Sequence, residues 1–293
     1  MPEMNSQDAF LLDKKRIRTS FADAAATYDA HDVLQRELRA RLLERLGYIR
    51  LEPHRIIDLG CGPGPALKPL SRLYRGAEVY GLDLAEGMAR RARRQWRWPR
   101  RPLVVCADME HLPLASAGFD LAVSVAALQW LNDLDQAFGE VRRILAPGGL
   151  WMFTTFGPDT LRELRAAFAS VAGSGEPRVN AFIDMHDIGD ALIRAGFADP
   201  VMDQEVITLT YPDFASLLGD LRGVGVRNTM HHRSRGLFGP RRLQAVEQYF
   251  HARYVTDGRW PLTWEVVHGH AWVSQAPPPS AAPGKFIPIL ARD

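Results

Sequence analysis

Apolar positions follow two rhythms along this chain. From Asp13 to Leu46 they recur every three or four residues, with Leu34, Leu38, Leu42 and Leu46 on one stripe, and the segment reads as helices. From 55 to 157 the rhythm changes to short, nearly continuous apolar runs. These are Ile56 and Ile57, then residues 77–83, 103–107, 119–125 and 150–154, each followed by a more polar stretch of helical length. Five strand–helix units in alternation predict an α/β fold with a mostly parallel, doubly wound sheet. A helix is expected from Asp159 to Ala172, with Asp159 as its cap after Pro158 and residues 173–177 as its end. Another runs from about Met185 to Ala195 and stops at Gly196. Weak alternation from Val201 to Tyr211 suggests a sixth strand, and Trp264 to Ala271 a seventh. Two amphipathic segments, 213–224 and 240–254, fall between them and are expected to cap the sheet's carboxyl edge, where open α/β sheets hold ligands. The pattern divides the chain into an N-terminal helical lid (1–50), a core (51–157), a C-terminal part of the same domain carrying the cap (158–274) and a flexible tail (275–293), proline- and alanine-rich from Gln275 to Gly284.

The first strand runs into Asp58-Leu59-Gly60-Cys61-Gly62-Pro63-Gly64. Glycines at alternate positions allow a sharp turn and let a ligand lie against bare backbone. Pro65 stands where a dinucleotide fingerprint places its third glycine, which points to a nucleoside cofactor without a pyrophosphate. The second strand ends in Asp83, about 20 residues after the loop, where such folds place a carboxylate to accept from a ribose diol. The third ends in Asp108-Met109, an acid suited to the exocyclic amine of adenine. Leu145-Ala146-Pro147-Gly148-Gly149 turns the chain into the fifth strand.

Composition narrows the picture. A chain of 293 residues with 46% hydrophobic content can bury a full core. A formal net charge of +2 argues against a nucleic-acid binder. Two cysteines, Cys61 and Cys106, give no disulfide framework and fit a reducing cytoplasm. Residues 1–7 lack the apolar core of a signal peptide, and no apolar run is long enough to cross a bilayer. No membrane partner is expected.

With these motifs in order, residues 50–157 resemble the class I S-adenosylmethionine-dependent methyltransferases. The resemblance implies a Rossmann-like, seven-stranded sheet and S-adenosyl-L-methionine as cofactor. It implies that Gly60, Gly62 and Gly64 line the methionine portion, that Asp83 holds the ribose, and that Asp108 and the Met109 backbone hold the adenine, with Asp58 and Leu84 also in the cofactor site. Methyl transfer to nitrogen or phenol calls for a base, whereas a carboxylate acceptor is already ionised at neutral pH. The sequence offers no compelling base. His231 and His232 lie in a glycine- and arginine-rich stretch. His268 and His270 share one strand face, either as a substrate-facing pair or as hydrogen-bonded histidines. No metal site is expected.

A second resemblance spans nearly the whole chain. It rests on Ser20-Phe21-Ala22-Asp23-Ala24-Ala25-Ala26-Thr27-Tyr28-Asp29, Thr154-Thr155-Phe156-Gly157-Pro158-Asp159-Thr160-Leu161-Arg162-Glu163-Leu164, Asp184-Met185-His186-Asp187-Ile188, Leu221-Arg222-Gly223-Val224-Gly225-Val226-Arg227-Asn228 and Glu265-Val266-Val267-His268-Gly269-His270-Ala271-Trp272. Together these are similar to the biotin-pathway malonyl-acyl-carrier-protein O-methyltransferase family. The implied reaction esterifies the free carboxylate of a malonyl thioester on acyl carrier protein or coenzyme A. Tyr28 is then a lid residue near the methyl, and Gln129 and Trp130 wall the pocket. Arg162, Arg222 and Arg227 are candidates to hold the carboxylate, since a guanidinium matches it bidentately. Assembly factors of respiratory complex I, associated with arginine hydroxylation, are similar in the same regions, but Glu3 and Asp8 are acidic where a mitochondrial transit segment avoids acid. RNA methylation is a third reading. It would use the basic cluster at 90–101, which otherwise docks an acidic carrier or is a solvated helix end.

Overall fold

The computed structural model describes residues 11–95, 102–172, 178–231 and 238–275. The tail beyond Gln275, the helix end at 173–177, residues 96–101 of the basic cluster, His232 and residues 1–10 lie outside the described residues.

Three helices come first: α1 (Lys14–Ala24), α2 (Tyr28–His31) and α3 (Val33–Gly47). Asp13 caps α1 by accepting from the Arg16 N–H. The leucine stripe of α3 is fully committed, with Leu34, Leu38, Leu42 and Leu46 all buried. The chain then alternates through β1 (Arg55–Leu59), α4 (Leu67–Leu73), β2 (Glu78–Asp83), α5 (Glu86–Arg94), β3 (Leu103–Cys106), β4 (Phe119–Val125), α6 (Leu134–Ile144) and β5 (Leu145–Phe156). There follow α7 (Arg162–Ala172), α8 (Met185–Arg194), β6 (Ala198–Tyr211), α9 (Phe214–Gly223), α10 (Pro240–Tyr254) and β7 (Trp260–Trp272).

The seven strands form one sheet in the order β3-β2-β1-β4-β5-β7-β6. β1 to β5 pair in parallel, and β7 runs antiparallel between β5 and β6. The expected doubly wound, mostly parallel sheet is therefore present, and its strand order reverses between β1 and β4, where ligands of such sheets sit. One face packs on α6 and α8 through Phe138, Trp151 and Phe153, with Phe138 and Trp151 edge to face at 4.8 Å. The other packs on α3 to α5 through Leu42, Leu67 and Ala89. A further cluster joins α7, α9 and α10 to the ends of β6 and β7 through Leu217, Phe250, Leu262 and Trp264. No helix among the described residues is long and apolar enough to cross a membrane.

Three expectations are corrected. The helix predicted from Asp159 begins at Arg162, because β7 captures the preceding turn. The Asp159 N–H donates to Glu265 Oε2 (2.7 Å), the Leu161 N–H to the Thr263 carbonyl (2.7 Å), and Leu161 takes φ +58°, which no helix tolerates. β7 starts at Trp260 rather than Trp264. Pro261 is accommodated where β7 pairs only with β6, since its pairing with β5 begins at Val266. β6 begins at Ala198 rather than Val201, and as an edge strand with no buried residue it carries only a weak pattern.

Candidate active site

The carboxyl ends of β1, β2 and β4 frame a cleft, open at its mouth, that with the solvent at that mouth encloses about 640 Å³. The glycine turn forms its floor. Gly60 and Gly62 take φ +77° and +55°, the left-handed region that favours glycine. A Cβ on Gly62 would meet no atom within 4 Å, so bare backbone faces the open space of the cleft. Gly60 is needed for a different reason, because a Cβ there would lie 2.4 Å from the Ala127 Cβ in the loop after β4.

Asp83 closes β2 and locks the turn. Its Oδ2 accepts from the Gly62 N–H and its Oδ1 from the Ala85 N–H, both at 2.8 Å. Each oxygen keeps a lone pair for a further donor. Burial pushes its carboxyl up to about 6 against the pull of those two backbone donors. Asp108 accepts from Lys14 Nζ (3.0 Å) and from the Glu110 N–H (3.2 Å). Leu84, Met109 and Trp130 line the same cleft.

The N-terminal helices cover it. Ile17, Phe21 and Tyr28 line the cleft, and Phe21 meets Trp130 edge to face at 5.2 Å. The Tyr28 phenol is held well above its usual pKa by burial and by the nearby Asp32 and Asp83, so it stays protonated. This lid is tied to the segment after α9. Ser20 Oγ donates to the Gly225 carbonyl (2.9 Å), Thr27 Oγ1 to the Gly223 carbonyl (3.2 Å), and His31 Nδ1 pairs with Asp220 Oδ1 (2.9 Å). Leu12 and Met230 form a β-bridge.

A second cleft, of about 870 Å³, opens under the cap, and Trp130 borders both. Its walls include Phe156, Phe168, Phe182 and Trp264, and its cations are Arg178, Arg222 and Arg227. Gln129, next to Trp130 in the chain, lines the second cleft. Its Nε2 donates to the Ala126 carbonyl (2.8 Å), and its Oε1 accepts from Thr155 Oγ1 (3.4 Å).

The structure thus brings Tyr28, Gly60, Gly62, Asp83, Leu84, Asp108, Met109 and Trp130 to the first cleft and Gln129, Trp130, Arg222 and Arg227 to the second. Three predicted residues line neither. Gly64 is a packing glycine, its missing Cβ making room for Ala92 at 3.0 Å. Arg162 is half-exposed and pairs with Glu163 (3.4 Å) and Asp159 (3.6 Å). Asp58 is buried on β1 beneath the turn. Lys14, Phe21 and Arg178 were not singled out by sequence. Arg178 lies with its guanidinium 4.5 Å above the Phe238 ring. Of the histidine pair, His268 is buried and bonded through Nε2 to Glu205 (2.7 Å). It lines, with His270, a separate small cleft beside Arg45 and Asp203. In the basic cluster, Arg91 clamps the lid through Asp29 (2.5 Å) and the Ala25 carbonyl, and Arg93 donates to the Val104 carbonyl (3.0 Å).

Burial, and then the neighbouring Asp83, pushes the Asp58 carboxyl up to about 7, with Arg39 opposing. Both acids hold protons in the folded protein that they release, at about pH 4, once unfolded. The stability this confers is full below about pH 4 and is lost as pH rises to about 7. Melting of the ligand-free protein is expected to fall by about 3–6 °C across that window relative to Asp58→Asn. Parallel curves for the two proteins would refute the assignment.

Strand order, an antiparallel β7 and the glycine turn over a covered cleft define a class I methyltransferase. A family model for a methyltransferase domain matches residues 57–153. Phosphoethanolamine N-methyltransferase 2 of Haemonchus contortus, solved with S-adenosyl-L-methionine, has the same fold at TM-score 0.56 and 20% identity, over 87% of this chain and 57% of that one. Two relatives are similar along almost the full length. The malonyl-[acyl-carrier protein] O-methyltransferase of Methylovorus sp. is 48% identical, covering 96% of this chain and 97% of its own. The enzyme of the same name from Halorhodospira halophila is 48% identical, covering 92% and 91%. The chain belongs to the malonyl-[acyl-carrier protein] O-methyltransferase family.

Proposed function

We propose that this protein transfers a methyl group from S-adenosyl-L-methionine to the free carboxylate of malonyl-acyl carrier protein, giving the malonyl methyl ester that enters biotin synthesis. The observation that carries the reading is that Trp130 is shared between the cleft over the glycine turn and a second, arginine-lined cleft. The cofactor, when bound, supplies an electrophilic methyl on a sulfonium. Asp83 keeps one lone pair on each oxygen for the ribose hydroxyls, and Gly62 would offer bare backbone to the amino-acid portion, with Gly60 lining the cleft beside it. Asp108, steadied by Lys14, accepts from the adenine amine, with the Met109 backbone beside it. Leu84 would pack against the nucleoside, and Asp58 lies buried below the turn.

The chain's own contribution to the transfer is alignment and the exclusion of water. Phe21, Tyr28 and Trp130 close the junction. Gln129, fixed at both ends of its amide, sets the wall against which the acceptor lies. A carboxylate acceptor carries its own electron pair, so no side chain has to remove a proton. The arginines of the second cleft draw in an anionic acceptor.

Labelled cofactor incubated with malonyl-acyl carrier protein is expected to give a labelled, alkali-labile malonyl ester, with malonyl-coenzyme A as a comparison acceptor. Label that passes to another acceptor while malonyl thioesters stay unmodified overturns the reading.

A further inference from the structure

The second cleft is larger than a three-carbon acid requires, and its arginines are unevenly placed. Arg222, in the last turn of α9, and Arg227, in the loop after it, line the cleft yet are exposed. Most arginines on the lid helices and α5 have a carboxylate partner, among them Arg36, Arg41, Arg45, Arg91 and Arg93. Among the described residues no carboxylate pairs with Arg222 or Arg227. The backbone that carries them is fixed. Asp220 is held by His31 and by Tyr211 (2.9 Å each), the Gly223 and Gly225 carbonyls by Thr27 and Ser20, and the Thr229 carbonyl by the Asp13 N–H (2.8 Å). Two solvent-facing guanidinium groups with no carboxylate partner among the described residues, on a braced segment, form a ready anion subsite in a cleft that also holds Arg178 and Asn180 among its aromatic walls.

The reacting carboxylate is a poor match for that subsite. It has to reach the junction at Trp130 and Gln129, out of water. A bidentate arginine would also withdraw electron density from the attacking oxygen and be left unpaired beside a neutral ester. A permanently charged group further along the acceptor fits better. We propose that Arg222 and Arg227 bind the phosphate of the 4′-phosphopantetheine arm that presents the malonyl group, and so select phosphate-bearing acceptors over phosphate-free thioesters. This rests on the proposed acceptor.

The test compares malonyl-pantetheine, malonyl-4′-phosphopantetheine, malonyl-acyl carrier protein and malonyl-coenzyme A as acceptors for wild type, Arg222→Gln, Arg227→Gln and the double variant. The double variant is expected to raise KM at least about tenfold for the three phosphate-bearing acceptors. It should leave kcat nearly unchanged and raise KM for malonyl-pantetheine by no more than about twofold, the share that long-range attraction of its carboxylate accounts for. Lysine at both positions should restore part of the loss. Equal losses with malonyl-pantetheine would make the arginines a carboxylate clamp and overturn the proposal, as would unchanged KM values throughout. Calorimetry with 4′-phosphopantetheine itself, lacking malonyl, reads the subsite without catalysis. Binding to wild type that vanishes in the double variant supports the subsite even if malonyl thioesters prove not to be acceptors. No binding to wild type refutes it. Unchanged affinity for S-adenosyl-L-methionine serves as the folding control.

Discussion

Asp83→Ala is expected to weaken S-adenosyl-L-methionine binding by at least about 100-fold. The carboxylate is available to two ribose hydroxyls, and hydrogen bonds to a charged group contribute about 1.5–3 kcal/mol each, so losing both costs about 3–6 kcal/mol. At about 1.4 kcal/mol per decade this is about two to four decades in Kd. The substitution also strips the Gly62 and Ala85 N–H groups of their acceptor, which loosens the turn that shapes the cleft. Asp83→Asn keeps the volume but turns an amide N–H₂ toward one of those N–H donors, so it too is expected to bind poorly. The measurement is isothermal calorimetry at about pH 8, above the raised pKa of about 6, so that wild type is fully ionised. An affinity within about threefold of wild type for Asp83→Ala would remove this acid from the cofactor site.

How far the sequence foretold this site depends on how local the information is. The glycine turn and Asp83 were legible because strand, turn and acid follow each other in order, and glycine is the residue that takes φ +77° and +55° without strain. The leucine stripe of α3 was legible for the same reason. What a stripe does not say is which surface covers it. Ser20 and Gly225 are 205 positions apart and Thr27 and Gly223 are 196 apart, so nothing in either segment announces that the lid and the segment after α9 are bonded together. Lys14 was invisible as a partner of Asp108 because the pair spans 94 positions. Arg162 and Arg178 illustrate the same limit. Both follow the core in the chain, yet Arg162 is half-exposed and pairs with Asp159 and Glu163 while Arg178 lines the cleft. Gly64 was counted with its neighbours because spacing alone does not separate a glycine that meets a ligand from one that meets a helix.

The bonding of the lid has a consequence for the order of events. One short stretch, 220–231, is bonded to the helices over the first cleft while it supplies Arg222 and Arg227 to the second. A ligand that settles Phe21 and Tyr28 is therefore expected to settle the acceptor wall as well, so that in calorimetry S-adenosyl-L-methionine and the acceptor should each tighten the other's binding by the same factor. The close contact between the loops after β1 and β4 belongs to the same frame, since Ala126 and Ala127 floor the first cleft and lead directly into Gln129 and Trp130.

That contact sets the other large effect. Gly60→Ala introduces a methyl 2.4 Å from the Ala127 Cβ at a backbone φ of +77°. The left-handed conformation costs alanine about 1–2 kcal/mol, and forcing a methyl into a packed contact costs about 1–3 kcal/mol. Together they amount to about 2–5 kcal/mol, which for a chain of this size lowers the melting temperature by about 3–8 °C. Cofactor affinity should fall with it, because the displaced loop carries the cleft floor. The two contributions separate in a double variant. Gly60→Ala with Ala127→Gly removes the steric part and leaves the conformational part, so it should recover about half of the lost stability. Gly62→Ala is the contrasting case. Its Cβ meets nothing in the protein, so melting should drop by no more than the conformational cost, while cofactor affinity drops further as the methyl occupies the ligand's space. Thermal melts with and without S-adenosyl-L-methionine distinguish the two. If Gly62→Ala bound the cofactor as wild type does, the turn would be a structural hinge and the cofactor would have to lie elsewhere in the cleft.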